Sequence, residues 1–392
     1  MKIARIRTIV VGNPWKNWIY VIADTDDGIQ GTGEATGGLM TQPIAAAVEE
    51  LAHLCLGRDP RQVHSLWDAL YKATHLSESP VHLHAMAGIE TACWDILGKS
   101  LGVPLHALLG GRVRDRIRVY ANGWYKGERS PVSYARQARQ VIGMGFTALK
   151  LDPFGSAYHV MAPGEEREAQ AILEAVREEV GPEVDIMVEG HDRFTVASAV
   201  QIGRWLEAIR PLWFEAPVLS SDIEAVVAVA RAIPVPVAVG ERFRTLTQFS
   251  RLLDCDCVSI VQPEPLAIGG LWRTLQVAAI AQAHHAELAP HNAESPVKTV
   301  LNAHIGAVVP NLLIQECFDP FLEPWVEELF EGMVTVKDGY LEVPQRPGLG
   351  IQVNEGEASK HPYGADHFLR MFSPGWESRS GERQSNQARD AP

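Results

Sequence analysis

VDIMVEGH (184–191), LWFEAP (212–217), VPVAVGER (235–242) and SIVQPE (259–264) are four short apolar runs, each reaching a glutamate. They are too short for buried helices and suit strands covered on both faces. Between them lie VASAVQIGRWLEAI (196–209) and DIEAVVAVARAI (222–233), whose apolar residues recur every three or four positions as in amphipathic helices. The same alternation extends outward. RIRVYAN (116–122) and TALKLD (147–152) precede the four runs, and AELAPHN (286–292) and NLLIQEC (311–317) follow them. From the third strand onward the segments end at Glu189, Glu215, Glu241, Glu264, His291 and Glu316, spaced by 26, 26, 23, 27 and 25 residues. That period is one strand plus one crossover helix. Eight such strands predict a closed (β/α) barrel, because a barrel brings every strand end to one mouth. An open doubly wound sheet gives no reason for six polar residues in succession to converge.

The first part of the chain is organised differently. IARIRTIVV (3–11) and WIYVIADTDDG (18–28) read as an antiparallel pair joined by a loop from Gly12 to Asn17, and Ile29–Glu34 returns as a third strand. Helical periodicity then runs through residues 43–57, 61–74 and 84–102. Strands followed by helices make an α+β unit, placed at 1–115, with the barrel at 116–330. Residues 331–375, including VTVKDGYLEVP (334–344) and GLGIQVNEG (348–356), are expected to return as short strands that complete the first unit. The polar stretch 376–392, WESRSGERQSNQARDAP, is expected to be a frayed tail.

A net charge of −13 over 392 residues argues against a nucleic-acid or anionic-membrane surface. An anionic small substrate remains compatible, since a local cation inverts the field inside a pocket. The five cysteines (55, 93, 255, 257 and 317) are odd in number and irregular in spacing. They read as free thiols of a cytoplasmic protein. No apolar run approaches a membrane span, and the N-terminus lacks the features of a signal peptide.

Carboxylates held side by side repel, and a divalent cation removes that cost. Glu189, Glu215 and Glu241 form an all-oxygen set suited to Mg²⁺. Zinc stays open through the nearby His191. Strand parity puts Glu189 and His191 on one side, and likewise Lys150 and Asp152, so Lys150 and His191 both face substrate held at the cation. Across the ring, Glu264 beside His291 makes a carboxylate-supported base. Glu316 either hydrogen-bonds a substrate oxygen or orients a donor.

Taken in order, Glu189-Gly-His191, Trp213-Phe-Glu215-Ala-Pro217, Gly240-Glu241-Arg242, Gln262-Pro-Glu264 with Ile268-Gly-Gly270, Pro290-His291 and Gln315-Glu316 resemble one family. It is the mandelate racemase/muconate-lactonizing branch of the enolase superfamily, over residues 1–360. The resemblance implies an α+β capping domain, completed by C-terminal segments, over a modified (β/α)7β barrel. It implies Glu189, Glu215 and Glu241 as Mg²⁺ ligands, His291 as the base of a dyad with Glu264, and Glu316 as the residue that stabilises the enolate away from the metal. A histidine two residues after the first ligand resembles the sugar-acid dehydratases of galactonate type, where it is the acid for the departing hydroxyl. A homo-oligomer, from dimer to octamer, is implied in the same way.

Two positions depart from the family pattern, which has aspartate where this chain has Glu189 and Glu264. A displacement of about 1 Å at a catalytic atom can cost about 10² in rate. The second lysine of the family's Lys-x-Lys pair is Asp152 here, which weakens a two-base racemisation. The expected activity is therefore dehydration of an aldonic or related acid sugar to a 2-keto-3-deoxy acid. A racemase or epimerase of α-hydroxy acids and a non-catalytic sugar-acid-binding barrel are the alternatives. Substrate selection is expected from the Gly12–Asn17 loop with Trp15 and Trp18, and from the 75–84 region. The alternative is that these aromatics only seal the domain interface.

Overall fold

A computed structural model describes residues 1–378. Strands β1 (Ile3–Asn13), β2 (Lys16–Thr25) and β3 (Gln30–Glu34) form an antiparallel sheet, covered by helices α1 (Thr41–Ala52), α2 (Val63–Ala73) and α3 (Pro80–Leu101). A short helix α4 (Leu105–Leu108) leads out of this unit. The expected Gly12–Asn17 loop is in fact a tight hairpin, because Asn13 pairs with Lys16 and leaves only Pro14 and Trp15 in the turn. β3 lies directly on α3, and a Cβ at Gly33 would stand 2.0 Å from the carbonyl oxygen of Gly88. That contact explains why glycine occupies a strand position otherwise suited to a side chain.

The barrel alternates β4 (Arg116–Ala121), α5 (Pro131–Gly143), β5 (Ala148–Leu151), α6 (Pro163–Val180), β6 (Asp185–Glu189), α7 (Val196–Leu206), β7 (Trp213–Glu215) and α8 (Ile223–Ala232). It continues through β8 (Val237–Val239), α9 (Leu246–Leu253), β9 (Ile260–Val261), α10 (Leu271–Ala283), β10 (Glu287–Leu288), α11 (Pro296–Val308) and β11 (Gln315–Cys317). Consecutive strands pair in parallel from β4 to β10. β11 returns to β4, and a bridge from Leu288 to Leu312 closes the circle. Five of the seven barrel helices begin at a side-chain cap. The side chains of Ser130, Thr195, Asp222, Thr245 and Ser295 accept backbone N–H groups from the first turns of α5, α7, α8, α9 and α11. Within the barrel, one buried residue in or next to every strand (Tyr120, Ala148, Met187, Trp213, Ala238, Ile260, Ala289, Ile314) forms a layer of its own. The next inward positions, two residues on, are Asn122, Lys150, Glu189, Glu215, Gly240, Gln262, His291 and Glu316.

Three expectations need correction. Glu241, Glu264 and His291 lie beyond their strands, which end at Val239, Val261 and Leu288. Gly240 turns the chain out of β8 with φ +141°, and a Cβ there would press on the Gln262 backbone. The 334–344 segment does not join the capping domain. After α12 (Val326–Leu329) and β12 (Phe330–Glu331), the hairpin of β13 (Val336–Lys337) and β14 (Tyr340–Glu342) pairs antiparallel with the first half of β4, which has a free edge below its contact with β11. Further on, β15 (Gln352–Val353) pairs with β12, and α13 (Glu355–Ala358) lies against β1, where Arg7 meets Glu355. The expected tail also begins too early. Trp376 is buried, donating to the Gly155 carbonyl at 3.0 Å and packing on His191. The rest of the 376–392 stretch lies outside the described residues from 379 onward. Among the described residues no helix is long and apolar enough to cross a membrane, and all five cysteines are free.

Two buried glutamates of the capping domain are seated on barrel helices. Glu34 accepts from Ser295 Oγ (2.6 Å), Ser295 N (3.3 Å) and Lys298 N (3.1 Å) at the start of α11. Glu90, on α3, accepts from the backbone N–H groups of Leu271 (2.8 Å) and Trp272 (3.0 Å) at the start of α10. Both use the partial positive charge of a helix N-terminus. Gly270 is required beside Glu90, since a Cβ there would sit 2.2 Å from its carboxylate.

Burial raises the Glu90 carboxyl to about 7, against the lowering effect of those N–H donors. The folded chain therefore keeps a proton that the unfolded chain, with an ordinary value of 4.5, has lost. The stability this proton confers is complete below pH 4.5 and declines as the pH rises to 7. Chemical denaturation of the wild type and Glu90→Gln at pH 5, 6 and 7 should show the wild type losing up to about 1.4 kcal/mol per pH unit relative to the variant. Parallel stability curves would show that Glu90 does not change protonation on folding.

Candidate active site

Glu189 and Glu215 are register partners on adjacent parallel strands, so backbone pairing itself forces their carboxylates together. With Glu241 they bring three carboxylate oxygens within 4.8 Å of one another. Glu189 and Glu215 are buried, and Glu241 is partly open to the mouth. The Trp213 indole donates to Glu215 at 2.8 Å. Burial and the neighbouring Glu189 push the Glu215 carboxyl well above the usual range, with Lys150 pulling it back. This crowding is what a hard divalent cation relieves, so the residues fit one. His191 is not part of the cluster, because its Nδ1 faces Asp152 at 2.5 Å. The donors are oxygens throughout, which argues against the zinc alternative.

Lys150 is completely buried inside the ring, not at its edge. Its Nζ lies 2.5 Å from Glu215, 3.2 Å from Glu189 and 3.0 Å from Glu316. Burial opposes its charge, but Glu215 and Glu316 hold the amine protonated, well above its ordinary value. Glu316 accepts from Asn122 Nδ2 and Asn292 N, each at 2.7 Å, as well as from Lys150. Burial alone would raise it, yet Lys150 and these donors bring it down to about 2. A glutamate in this state accepts hydrogen bonds and orients donors, and it has no proton of its own to give.

His291 lies on the β8 flank of the cluster, with Nε2 3.3 Å from Glu241 and Nδ1 2.5 Å from Glu264. Despite burial, Glu241 and the Glu264 hydrogen bond raise the ring to about 9. The longer Glu264 thus still reaches its histidine. Lys298, on the first turn of α11, pairs with both Glu264 and Glu294. Glu294 also receives Lys16 Nζ at 3.0 Å from the capping-domain hairpin. Glu264, His291 and Glu294 bring ligand atoms equally close, but the Lys298 ammonium already supplies the positive charge there.

On the β6 flank, the His191 backbone N–H donates to Glu189 at 2.7 Å. The chain turns there through positive φ at His191 (50°) and Asp192 (60°), and next to Glu215 through Ala216 (38°). Such backbone is uncommon outside glycine and clusters at functional sites. Burial drives the His191 ring down to about 3, against the pull of Glu241.

The two candidate specificity segments behave differently. Trp18 is buried in the interface, its ring tilted by 53° against that of Trp325 at 6.2 Å. Trp15 packs on Phe318, and Lys16 beside it reaches the loop after His291. From the 75–84 region, His75 is exposed, whereas His84 is buried within the field of Glu264 and Arg244.

Several site residues escaped the reading of the sequence. Gln262 is fully buried at an inward position, and neither its amide oxygen nor its nitrogen has a partner among the described residues. Its parity with Glu264 was a usable signal. Lys298 stands at i+4 from Glu294, which was another. Arg193 and Arg244 carried no local signal, because their positions depend on loops folding back over the mouth.

Residues 133–357 match the family described as enolase C-terminal domain-like, and residues 11–110 the mandelate racemase/muconate lactonizing enzyme N-terminal domain. The chain is 36% identical over 349 residues to a D-gluconate dehydratase of Thermoproteus tenax, covering 88% of this chain and 70% of that protein. It is 30% identical to a D-gluconate/D-galactonate dehydratase of Picrophilus torridus, over 93% of each chain. A crystal structure of a mandelate racemase/muconate lactonizing enzyme from Sulfitobacter sp. superimposes with a TM-score of 0.87 at 33% identity, covering 93% of this chain and 96% of the other. The capping domain and the barrel are thus shared features, and the chain belongs to the mandelate racemase/muconate lactonizing enzyme family of the enolase superfamily.

Proposed function

We propose that this protein is a Mg²⁺-dependent dehydratase of a sugar acid of the gluconate or galactonate type, yielding a 2-keto-3-deoxy acid. The observation that carries this reading is the placement of two histidines, His191 and His291, on opposite flanks of the Glu189–Glu215–Glu241 cluster. Elimination of water needs one group to take the α-proton and another to give a proton to the β-hydroxyl. The dehydratase activity of the relatives named above supports the same conclusion.

Glu189, Glu215 and Glu241 would hold the cation. When bound, it supplies positive charge where the substrate carboxylate becomes more negative as the α-proton leaves. His291 accepts that proton at Nε2, while Glu264 at Nδ1 fixes the tautomer and supports the imidazolium. Neutralising Glu241 removes the main support for the already protonated ring, which returns His291 to the form a base requires. Glu316, itself held by Asn122, keeps Lys150 in place, and the Lys150 ammonium adds a second positive charge near the developing enediolate. His191 protonates the departing hydroxyl. The capping-domain hairpin, anchored through Lys16 to Glu294, limits water at the mouth.

Racemisation would need a base opposite His291. Lys150 is locked among three carboxylates, and the second lysine of that pattern is Asp152. We further infer a homo-oligomer on family grounds and a cytoplasmic location from the free cysteines, which sedimentation and fractionation would test.

A stereochemically complete panel of acid sugars, assayed for 2-keto product, should identify at least one that is dehydrated with Mg²⁺ and not after chelation. A panel that yields configurational inversion and no keto product would overturn the reading. Calorimetry should show that Glu215→Gln abolishes Mg²⁺ binding and turnover together, and retained binding would move the metal elsewhere. In D₂O, His291→Asn should lose both C2 hydrogen exchange and dehydration by about 10³-fold. His191→Asn should keep the exchange and lose the dehydration, and equal losses in the two variants would remove the division of roles.

A further inference from the structure

The proposed chemistry leaves one buried carboxylate beside the cluster without a task. Asp152 follows Lys150 by two residues and is fully buried. Its Oδ1 accepts from Phe154 N at 2.9 Å. Its Oδ2 faces His191 Nδ1 at 2.5 Å and the guanidinium of Arg193. Burying another anion near Glu189, Glu215 and Glu316 is costly unless a cation is paired with it, and Arg193 is that cation.

Arg193 has little freedom to do anything else. It is buried, and it donates to the carbonyl oxygens of Gly190 (3.0 Å), Gly155 (2.8 Å) and Ala157 (3.3 Å). Aromatic faces cover its plane, Phe372 at 4.7 Å and Trp376 at 5.9 Å. The Trp376 ring stands perpendicular to the His191 ring at 5.4 Å. The C-terminal segment thus seals the Arg193–Asp152–His191 chain from the outside. The same construction occurs across the site, where Lys298 holds Glu264 and Glu264 holds His291. Cation, carboxylate and imidazole occur twice, once on each flank.

We propose that Asp152 is a positioning residue for the elimination, the carboxylate of a second carboxylate–histidine dyad. By accepting Nδ1–H of His191, with Oδ2 2.5 Å from that nitrogen, it fixes the ring's orientation and leaves Nε2 as the atom that faces substrate. In the step, the C3–O bond breaks and its electron pair leaves with the oxygen. The proton on Nε2 joins that oxygen to make water, and the electron pair released at C2 becomes the C2–C3 double bond. His191 is left neutral with Nδ1–H still on Asp152. The inference rests on the dehydratase reading, and Asp152 acts only through His191.

The test uses the full-length Mg²⁺-loaded enzyme as wild type, Asp152→Asn and Asp152→Ala. Long-range ¹H–¹⁵N spectra of histidine-labelled protein, with His191 assigned by its absence from His191→Asn, report which ring nitrogen carries hydrogen. Wild type should show hydrogen on Nδ1, and Asp152→Ala should lose that fixed tautomer. With an acid sugar that the wild type dehydrates in D₂O, Asp152→Ala should slow dehydration by about 10²-fold while deuterium still enters C2 of the unreacted acid. Asp152→Asn, which keeps a neutral acceptor, should fall between. Parallel loss of exchange and dehydration, unchanged dehydration, or a wild-type His191 bearing hydrogen only on Nε2 would each overturn the inference. A wild type inert to the whole panel would overturn the dehydratase reading instead, and the spectra would still decide whether Asp152 holds His191.

Discussion

Everything at the mouth of this barrel follows from the cost of crowding anions away from water. Glu189, Glu215 and Glu316 converge on the buried ammonium of Lys150, and Glu241 stands at the open side. One ammonium cannot compensate four carboxylates, and the unfavourable remainder appears as the upward push on Glu215. A site built this way is poised to accept a second, stronger cation. The strands hold the carboxylates in place because their register leaves them no alternative. Glu189 and Glu215 cannot separate without breaking the β6–β7 pairing.

The capping domain is bound to this barrel by the same kind of interaction turned to structural use. Glu34 and Glu90 are buried acids seated on the N-termini of α11 and α10. Lys298 connects the two uses, because its backbone N–H donates to Glu34 and its ammonium holds Glu264. The seating of the capping domain and the position of the dyad carboxylate therefore meet in one residue. Lys16 adds a second link from the hairpin through Glu294.

The two histidines show how surroundings push one kind of side chain in opposite directions. His291 lies beside Glu241 and is raised to about 9, whereas burial brings His191 down to about 3. Without a cation this leaves the proton on His291, so the proposed division into base and acid depends on a cation offsetting Glu241 at His291 and on Asp152 supporting His191. Glu189 takes its place in the carboxylate cluster, and Glu264, in a loop three residues beyond β9, meets His291 at 2.5 Å.

The sequence by itself determined the barrel and the three-glutamate cluster, because both are written in local periodicity. A strand plus a crossover helix has a nearly fixed length, so carboxylates repeated at that interval must arrive at one mouth. It also determined the Glu264–His291 partnership, since adjacent parallel strands bring their ends together. Only the tertiary structure decided where Lys150 sits, because its choice of three carboxylates depends on how the ring closes. Only the fold could show that the 336–342 hairpin adds to β4, where half of a strand edge was free. Likewise Trp376, in a stretch that reads as polar tail, is buried against His191 and Arg193. Contacts between residues more than a hundred positions apart leave no period in the sequence, and they exist only once the chain has closed on itself.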